Sequence, residues 1–421
     1  MPVGNVAAAV GMQKEYIDPK VQQLIASYSR LYKHIKVNTK IKPVSNRPAK
    51  IPLQVQMGGK VSVGNFDGAA LGRGSGPQLS NMSVSCVSYV QASEWTSQAE
   101  WTTDSNEKSV EDYAALLQSQ QMQTMAGFLD ALTQTNGSNT LDTVVSVSGS
   151  TLTVSNPNMF MSNQDVDFWT NYLDQGGSYL GTGTILSLDP INMAVVLTAA
   201  PPVGVGAGTL VLVRNSSGVS NSGFLGLRAW NMAGNTGLYG NIQKSAYPGL
   251  FNIANINAPG ALTPAVVRGV RNLIAQHMGL ENEESANLVL HGNLDAITAW
   301  ENNAIQVQTN EYNMIRGDQN PDFLKKRRPD TIGGMPTIIN ERAKPGYLDF
   351  LPLEHYFQIT SKPLSLYDVK GQVVFPAYGS DGSVATAYLM YMVIMWQMVS
   401  VQPGLNGYIS GFSPAKYILG H

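Results

Sequence analysis

The sequence predicts an α+β fold with a small barrel-like β domain set into it. Three observations carry this expectation. One long helical pattern, free of proline, runs from Ser109 to Asn136. Alternating strand patterns and turn residues surround it on both sides. A dense set of short strands between Leu141 and Val213 differs in character from the rest of the chain.

The chain has 421 residues, enough for two or three domains and a sizeable core. Its formal net charge is -2, which excludes a strongly basic protein overall, and its 41 glycines suit turns and exposed loops. Cys86 is the only cysteine, so neither a disulfide framework nor a cysteine metal cluster is expected. The opening Met1-Pro2-Val3-Gly4-Asn5 lacks a charged region followed by an apolar core, so no secretory signal is expected. Without one, the sequons at Asn81, Asn136 and Asn215 carry little weight. The most apolar run, Ala387 to Trp396, is well short of the roughly 18 residues a membrane helix needs and reads as a buried strand.

Residues 1–17 are small and polar. Asp18-Pro19 opens an amphipathic helix with Val21, Leu24, Ile25, Tyr28, Leu31 and Tyr32 on one face, fading near Ile35. Lys40 to Lys50 is basic, carries two prolines and reads as an extended arm. From Ile51 to about Trp101 the pattern alternates. Ile51, Leu53 and Val55 share one face, Met57-Gly58-Gly59-Lys60 turns, and Val84, Cys86, Ser88 and Val90 return. This predicts one long hairpin with a glycine-rich tip, too poor in apolar surface to stand alone.

In the long helix, Ser109 and Asp112 supply a capping signal. Tyr113, Leu117, Met125, Phe128, Leu129 and Leu132 recur at helical spacing, Met122 extends the apolar surface, and Asn136-Gly137 is the stop. At 1.5 Å per residue such a helix is about 40 Å long. Then come hairpins around Ser148-Gly149-Ser150 and Asp189-Pro190, a last strand at Thr209–Val213, and Asn215-Ser216-Ser217-Gly218 as an exit linker. Thr263-Pro264 caps a second helix ending at Gly279. Asn287–Leu290 reads as a strand and His291-Gly292-Asn293 as a turn into a third helix, indicating an α/β layer. Strands at 337–339, 357–359, 373–375 and 387–401 close the chain.

The sequence carries little that points to chemistry. The five histidines lack ligand spacing, and His291 reads as a turn residue. Gly72-Arg73-Gly74-Ser75-Gly76 lacks the Lys-Ser/Thr pair and following helix of a phosphate loop. Gly411-Phe412-Ser413-Pro414 fails as a nucleophile elbow. No catalytic, cofactor-binding or metal-binding residues are expected, and no cofactor. Lys325-Lys326-Arg327-Arg328 is a compact basic run that reads as a solvated loop or a salt-bridging surface, for which Glu281, Glu283 and Glu284 offer an acidic counterpart on a neighbouring copy. Between Asp18 and Asp67 there is no acidic residue, whereas Lys20, Arg30, Lys33, Lys36, Lys40, Lys42, Arg47, Lys50 and Lys60 all fall there.

The order of elements is basic arm, long hairpin, long helix, inserted barrel, α/β layer, closing strands. It resembles that of the major capsid proteins of tailed bacteriophages with the Hong Kong 97 type fold. Ile51-Pro52-Leu53-Gln54-Val55, Gly237-Leu238-Tyr239-Gly240-Asn241-Ile242, Asn287 to Trp300, Ile332-Gly333-Gly334-Met335-Pro336-Thr337-Ile338 and Val399-Ser400-Val401-Gln402-Pro403 look like local stretches of that family. The resemblance spans the chain except the insert. It implies an N-terminal arm (1–50), an extended loop (51–104), a spine helix of a peripheral domain (105–137), an inserted β domain (138–215), an axial domain (216–345) and closing strands (346–421).

It further implies a non-enzymatic virion protein that self-assembles into pentamers and hexamers of an icosahedral shell in the host cytoplasm. The expected partners are further copies of itself, a scaffolding protein, a portal, a decoration protein, and packaged double-stranded DNA held by non-specific contacts; no membrane is expected. On that reading Arg30, Lys33, Lys36, Lys40, Lys42, Arg47 and Lys50 face DNA phosphates. Lys60, Asp67, Gly68, Gly72, Arg73, Gly74 and Gly76 form the intersubunit hairpin tip. The alternative for the basic residues is that they bridge acidic patches on neighbours. Rival readings of the chain are an encapsulin-type compartment around protein cargo and a secreted β-rich carbohydrate-binding or hydrolytic protein.

Overall fold

The computed structural model describes residues 30–38, 48–59, 74–99, 113–234, 238–300, 331–378 and 384–412. The chain folds as two compact units. One takes in Met1–His34, Cys86–Leu227 and Thr360–Gln397, the other Ile35–Ser85, Arg228–Ile359 and Met398–His421. The helix anticipated over 18–35 falls outside the described residues up to position 29.

The first unit is organised on the long helix, α1 (Tyr113–Leu132). Its expected cap at Ser109 lies outside the described residues. Its end comes at Leu132, four residues before the expected Asn136. There the Thr133 hydroxyl donates to Asp130 O at 2.6 Å and the Thr135 hydroxyl to Leu132 O at 2.8 Å, taking up carbonyls that a continuing helix would use. Met122 does not extend the apolar surface; it is 53% exposed. The last turn is instead buried all round, Leu129 to Leu132 being inaccessible.

Beside α1 lies a sheet around the strand Val384–Ser400, whose residues 387–396 pair antiparallel and in unbroken register with Val87–Thr96. Met390, Met392, Ile394 and Trp396 face inward, and the residues between them are only half-buried. The apolar run is a strand, as its composition predicts, with one face fully buried and the other half-buried. Gln121 donates to Met390 O at 3.2 Å, and the Tyr89 and Phe128 rings meet edge-on at 5.4 Å.

The second component of this unit is a closed six-stranded barrel. Its circuit runs Leu210–Val213, Thr140–Ser148, Thr151–Val154, Ala194–Leu197, Tyr179–Asp189, Asp165–Trp169 and back to Leu210–Val213. Leu152, Val166, Phe168, Ile185, Val195, Leu197 and Val211 fill it, together with Ala131 of α1. The barrel is therefore joined to the helix by a shared core. Its entry and exit segments are also tied together. Gly223 N donates to Gly137 O at 2.7 Å, and Asn139 Oδ1 accepts from Tyr89 Oη at 2.6 Å and from Phe224 N at 2.9 Å. Residues 215–218, expected as a linker, are held as well, Leu173 N donating to Gly218 O at 2.8 Å.

The second unit carries a six-stranded mixed sheet. Its order is Ala254–Gly260, Gly407–Phe412, Tyr347–Leu351, Val289–Gly292, Met335–Ile339, Thr331–Ile332. Against it packs α2 (Pro264–Met278), started by Thr263, whose hydroxyl accepts from Val266 N, and ended at Gly279 as the spacing predicts. Val267, Val270 and Ile274 are its buried residues. Gly333 and Gly334, at φ +57° and +82°, make the two-residue turn between the last two strands, a geometry that side chains with a Cβ resist. His291 is not in a turn: the strand extends to Gly292, and His291 sits inside it, fully buried.

The extended hairpin is shorter than expected. Ala49–Gln56 pairs antiparallel with Gln78–Val84. The following strand, Val87–Thr96, belongs to the sheet of the first unit instead. Alternation alone fixes which face of a strand is apolar, not which strand it pairs with.

Candidate assembly surfaces

The hairpin presents two unlike faces. Ala49, Ile51, Val55, Met82 and Val84 point inward and are buried, whereas Lys50, Pro52, Gln54, Gln56 and Leu79 are exposed. Its inner face is anchored within its own unit. Ser83 N donates to Asn241 Oδ1 at 2.9 Å. Gly240 sits in a left-handed turn directly under Met82, where an added Cβ would lie 2.3 Å from Met82 Cγ. This explains Tyr239-Gly240-Asn241-Ile242 physically: the hairpin Leu238–Tyr239/Ile242–Gln243 needs a turn residue with no side chain. Beyond this anchor the strand leaves a groove of about 560 Å³, lined by Ile51 to Met57 on one side and by Phe251, Met278 and Pro403 on the other.

Of the predicted tip residues, Gly74 and Gly76 are described and exposed. Lys60, Asp67, Gly68, Gly72 and Arg73 lie outside the described residues. The strands come together at the described end of the hairpin, where Gly59 N donates to Ser75 O at 2.6 Å.

Of the predicted DNA-facing residues, Arg30, Lys33, Lys36 and Lys50 are all exposed. Lys40, Lys42 and Arg47 lie outside the described residues. At the root of this segment Leu31 is buried and Tyr32 meets Trp396 edge-on at 5.1 Å. The carboxylate of Asp130 accepts hydrogen bonds from this stretch of backbone. Asp130 was hidden in the sequence by its place on the apolar side of α1.

The acidic group divides. Glu281 and Glu284 are exposed, but Glu283 turns inward and is bound by Arg271 Nε at 2.5 Å. That hydrogen bond raises the Arg271 pKa. Glu283 is therefore satisfied within its own chain. Lys325, Lys326, Arg327 and Arg328 lie outside the described residues.

Sequence reasoning also missed a buried polar centre in the second unit. Asp349, on an inner strand of the six-stranded sheet, pairs with Arg228 and accepts from Asn231 Nδ2 at 2.9 Å; His291 Nδ1 lies 3.5 Å away. Asn231 also donates to Gly407 O at 3.1 Å. The Arg228 guanidinium lies 4.8 Å from the centre of the Tyr347 ring. Burial pushes the Asp349 pKa up, but the charge of Arg228 and the hydrogen bond from His291 outweigh it, and the net shift is downward. The centre joins residues from four separate stretches of sequence. It ties these stretches together within the fold. Among the described residues no group of three or more His, Cys, Asp and Glu is placed to hold a metal ion. No described helix is long and apolar enough to cross a membrane.

No family model and no curated protein matches this sequence. Solved structures do match. The chain of a cyanophage A-1(L) capsid asymmetric unit aligns with TM-score 0.53 and 12% identity, over 94% of this chain and 97% of that one. A chain from the capsid of a native GTA particle aligns with TM-score 0.51 and 11% identity, over 95% of each. At such identities the likeness speaks for the fold, and it runs from end to end. This chain has the fold of phage capsid proteins, the resemblance its order of elements carries.

Proposed function

We propose that this protein is the major subunit of an icosahedral capsid that encloses double-stranded DNA, assembled from pentamers and hexamers of the one chain. The observation that supports it most is the end-to-end likeness in fold to two capsid chains. Shells of this kind are held by many modest contacts summed over a closed symmetric lattice. The described surface suits that. The hairpin offers an exposed polar edge, and exposed carboxylates at Glu281 and Glu284 are available to the basic run 325–328 of a neighbour. The barrel of residues 138–215 is then an addition to the shell fold, and residues 1–50, 51–104, 105–137, 216–345 and 346–421 are its arm, extended loop, spine, axial part and closing strands. Residues 85–104 of the loop include the strand that pairs in the first unit.

The basic segment is read as the DNA-facing surface. Arg30, Lys33, Lys36 and Lys50 are exposed, and no acidic residue lies between Asp18 and Asp67. Neutralising phosphates releases condensed counterions, so contacts of this kind are indifferent to base sequence and weaken with salt. A scaffolding protein, a portal and a decoration protein are the further partners, the virion is the location, and the host cytoplasm is the place of assembly. The role is structural, with no reaction catalysed.

Crosslink mapping in purified filled particles tests the reading. DNA crosslinks on residues 20–50 are expected. Particles holding protein cargo without nucleic acid would identify a protein compartment instead. DNA crosslinks confined to other residues would assign the basic segment to bridges between subunits.

A further inference from the structure

We infer that Asp130 is the pin that fixes the root of the basic N-terminal segment to the long helix. The backbone amides of Arg30, Leu31 and Tyr32 all donate to a single oxygen, Asp130 Oδ1, at 2.9, 2.7 and 3.0 Å. The receiving side chain is fully buried, on the last turn of α1. A carboxylate taken out of water is costly unless hydrogen bonds replace its hydration, and amide donors at these distances are the strong, charge-assisted kind. Three consecutive amides can converge on one oxygen only if the backbone curls around it, and it does so here on entering the short 3-10 turn Tyr32–His34. Leu31 is buried beside the pin, and the Tyr32 ring stands edge-on to Trp396.

These three bonds are all to backbone amides. The side chains of Arg30 and Lys33 take no part in these three bonds and both are exposed. Holding the segment and presenting its charge are thereby separate tasks. Asp130 sets where the segment is attached, and the cations around it stay available to an anionic partner. The pin itself stands without the capsid reading; its meaning as the root of a DNA-facing arm rests on that reading.

Hydrogen exchange of the full-length protein tests the pin without any substitution. The amides of Leu31 and Tyr32 should exchange at least ~10-fold more slowly than an unbonded amide. Exchange at unprotected rates would overturn the inference. Asp130→Ala, which removes the acceptor, should abolish that protection and open the Arg30–Leu31 bond to trypsin, while barrel amides such as Val195 stay protected. Asp130→Asn, which keeps an acceptor oxygen, should fall between. Unchanged trypsin resistance in Asp130→Ala would contradict the pin. Loss of protection spread evenly over the barrel and α1 would make Asp130 an ordinary core residue and also contradict it. A failure of the DNA crosslinks at residues 20–50 would leave these outcomes unaffected, so the two readings fail separately.

Discussion

The barrel and the six-stranded sheet solve the same problem in opposite ways. The barrel takes all six strands from residues 140–213, pairs them antiparallel and closes on itself, which removes free edges. Its strands are packed together by apolar side chains such as Val166, Phe168, Ile185 and Leu197. The sheet collects its strands from residues 254–412, mixes parallel and antiparallel pairs, and holds Asp349, Arg228, Asn231 and His291 inside. The barrel is specified by local contacts and the sheet by distant ones, with a buried charge at the point where distant stretches meet. Buried ion pairs contribute little net stability but are costly to break, so they penalise wrong arrangements.

The sharpest way to break the comparison is at Asp349. Asp349→Ala leaves Arg228 without its buried partner and should destabilise the second unit by about 3–5 kcal/mol, read by denaturant unfolding, with amide protection in the barrel unchanged. The effect carries a pH signature. The folded carboxyl titrates below its unfolded value, so its contribution is complete above that value and is lost as pH falls through the folded one. The stability gap between wild type and Asp349→Asn should therefore narrow below about pH 4. A gap constant down to acid would show that the ionised carboxylate contributes nothing.

Next in size is Leu197→Ala in the barrel, whose side chain is 2% exposed. Loss of the buried group and the cavity left behind should cost about 3 kcal/mol. Its gap from wild type should not vary with pH, in contrast to Asp349→Asn. Asn139→Ala removes the acceptor shared by Tyr89 and Phe224 and should cost about 2 kcal/mol. Its exchange signature should appear at the barrel's entry and exit strands first. The smallest effect is expected for Thr263→Ala, which deletes the cap of α2 for about 1 kcal/mol.

The same contrast explains what could be read from the sequence. The barrel hairpins around Gly149 and Asp189 and the cap, proline and terminal glycine of α2 are local signals, and they were legible. Asp165–Trp169 was missed because two aspartates interrupt its apolar pattern. The fold answers them locally: the Thr184 hydroxyl donates to Asp165 at 2.6 Å and Asn215 N to Asp167 at 2.7 Å. Tyr347–Leu351 was missed for a like reason, because the partners of Asp349 lie far away in sequence. The hairpin was drawn too long because Val87–Thr96 alternates as its return strand would, while its partner, residues 387–396, lies about 300 residues on. Of the candidate surface residues, the charge segregation of the basic segment was legible, whereas the buried acceptor at its root was not.

Closure of this chain into a shell, the proposed function, can be seen by imaging. The full-length protein, expressed with the products of its neighbouring genes and examined by electron microscopy, should form closed icosahedral particles with pentamers at the vertices and hexamers between them. Deleting Asp67 to Gly76 should leave a folded subunit that rarely closes. A protein that is fully folded under these conditions yet remains monomeric would contradict the account.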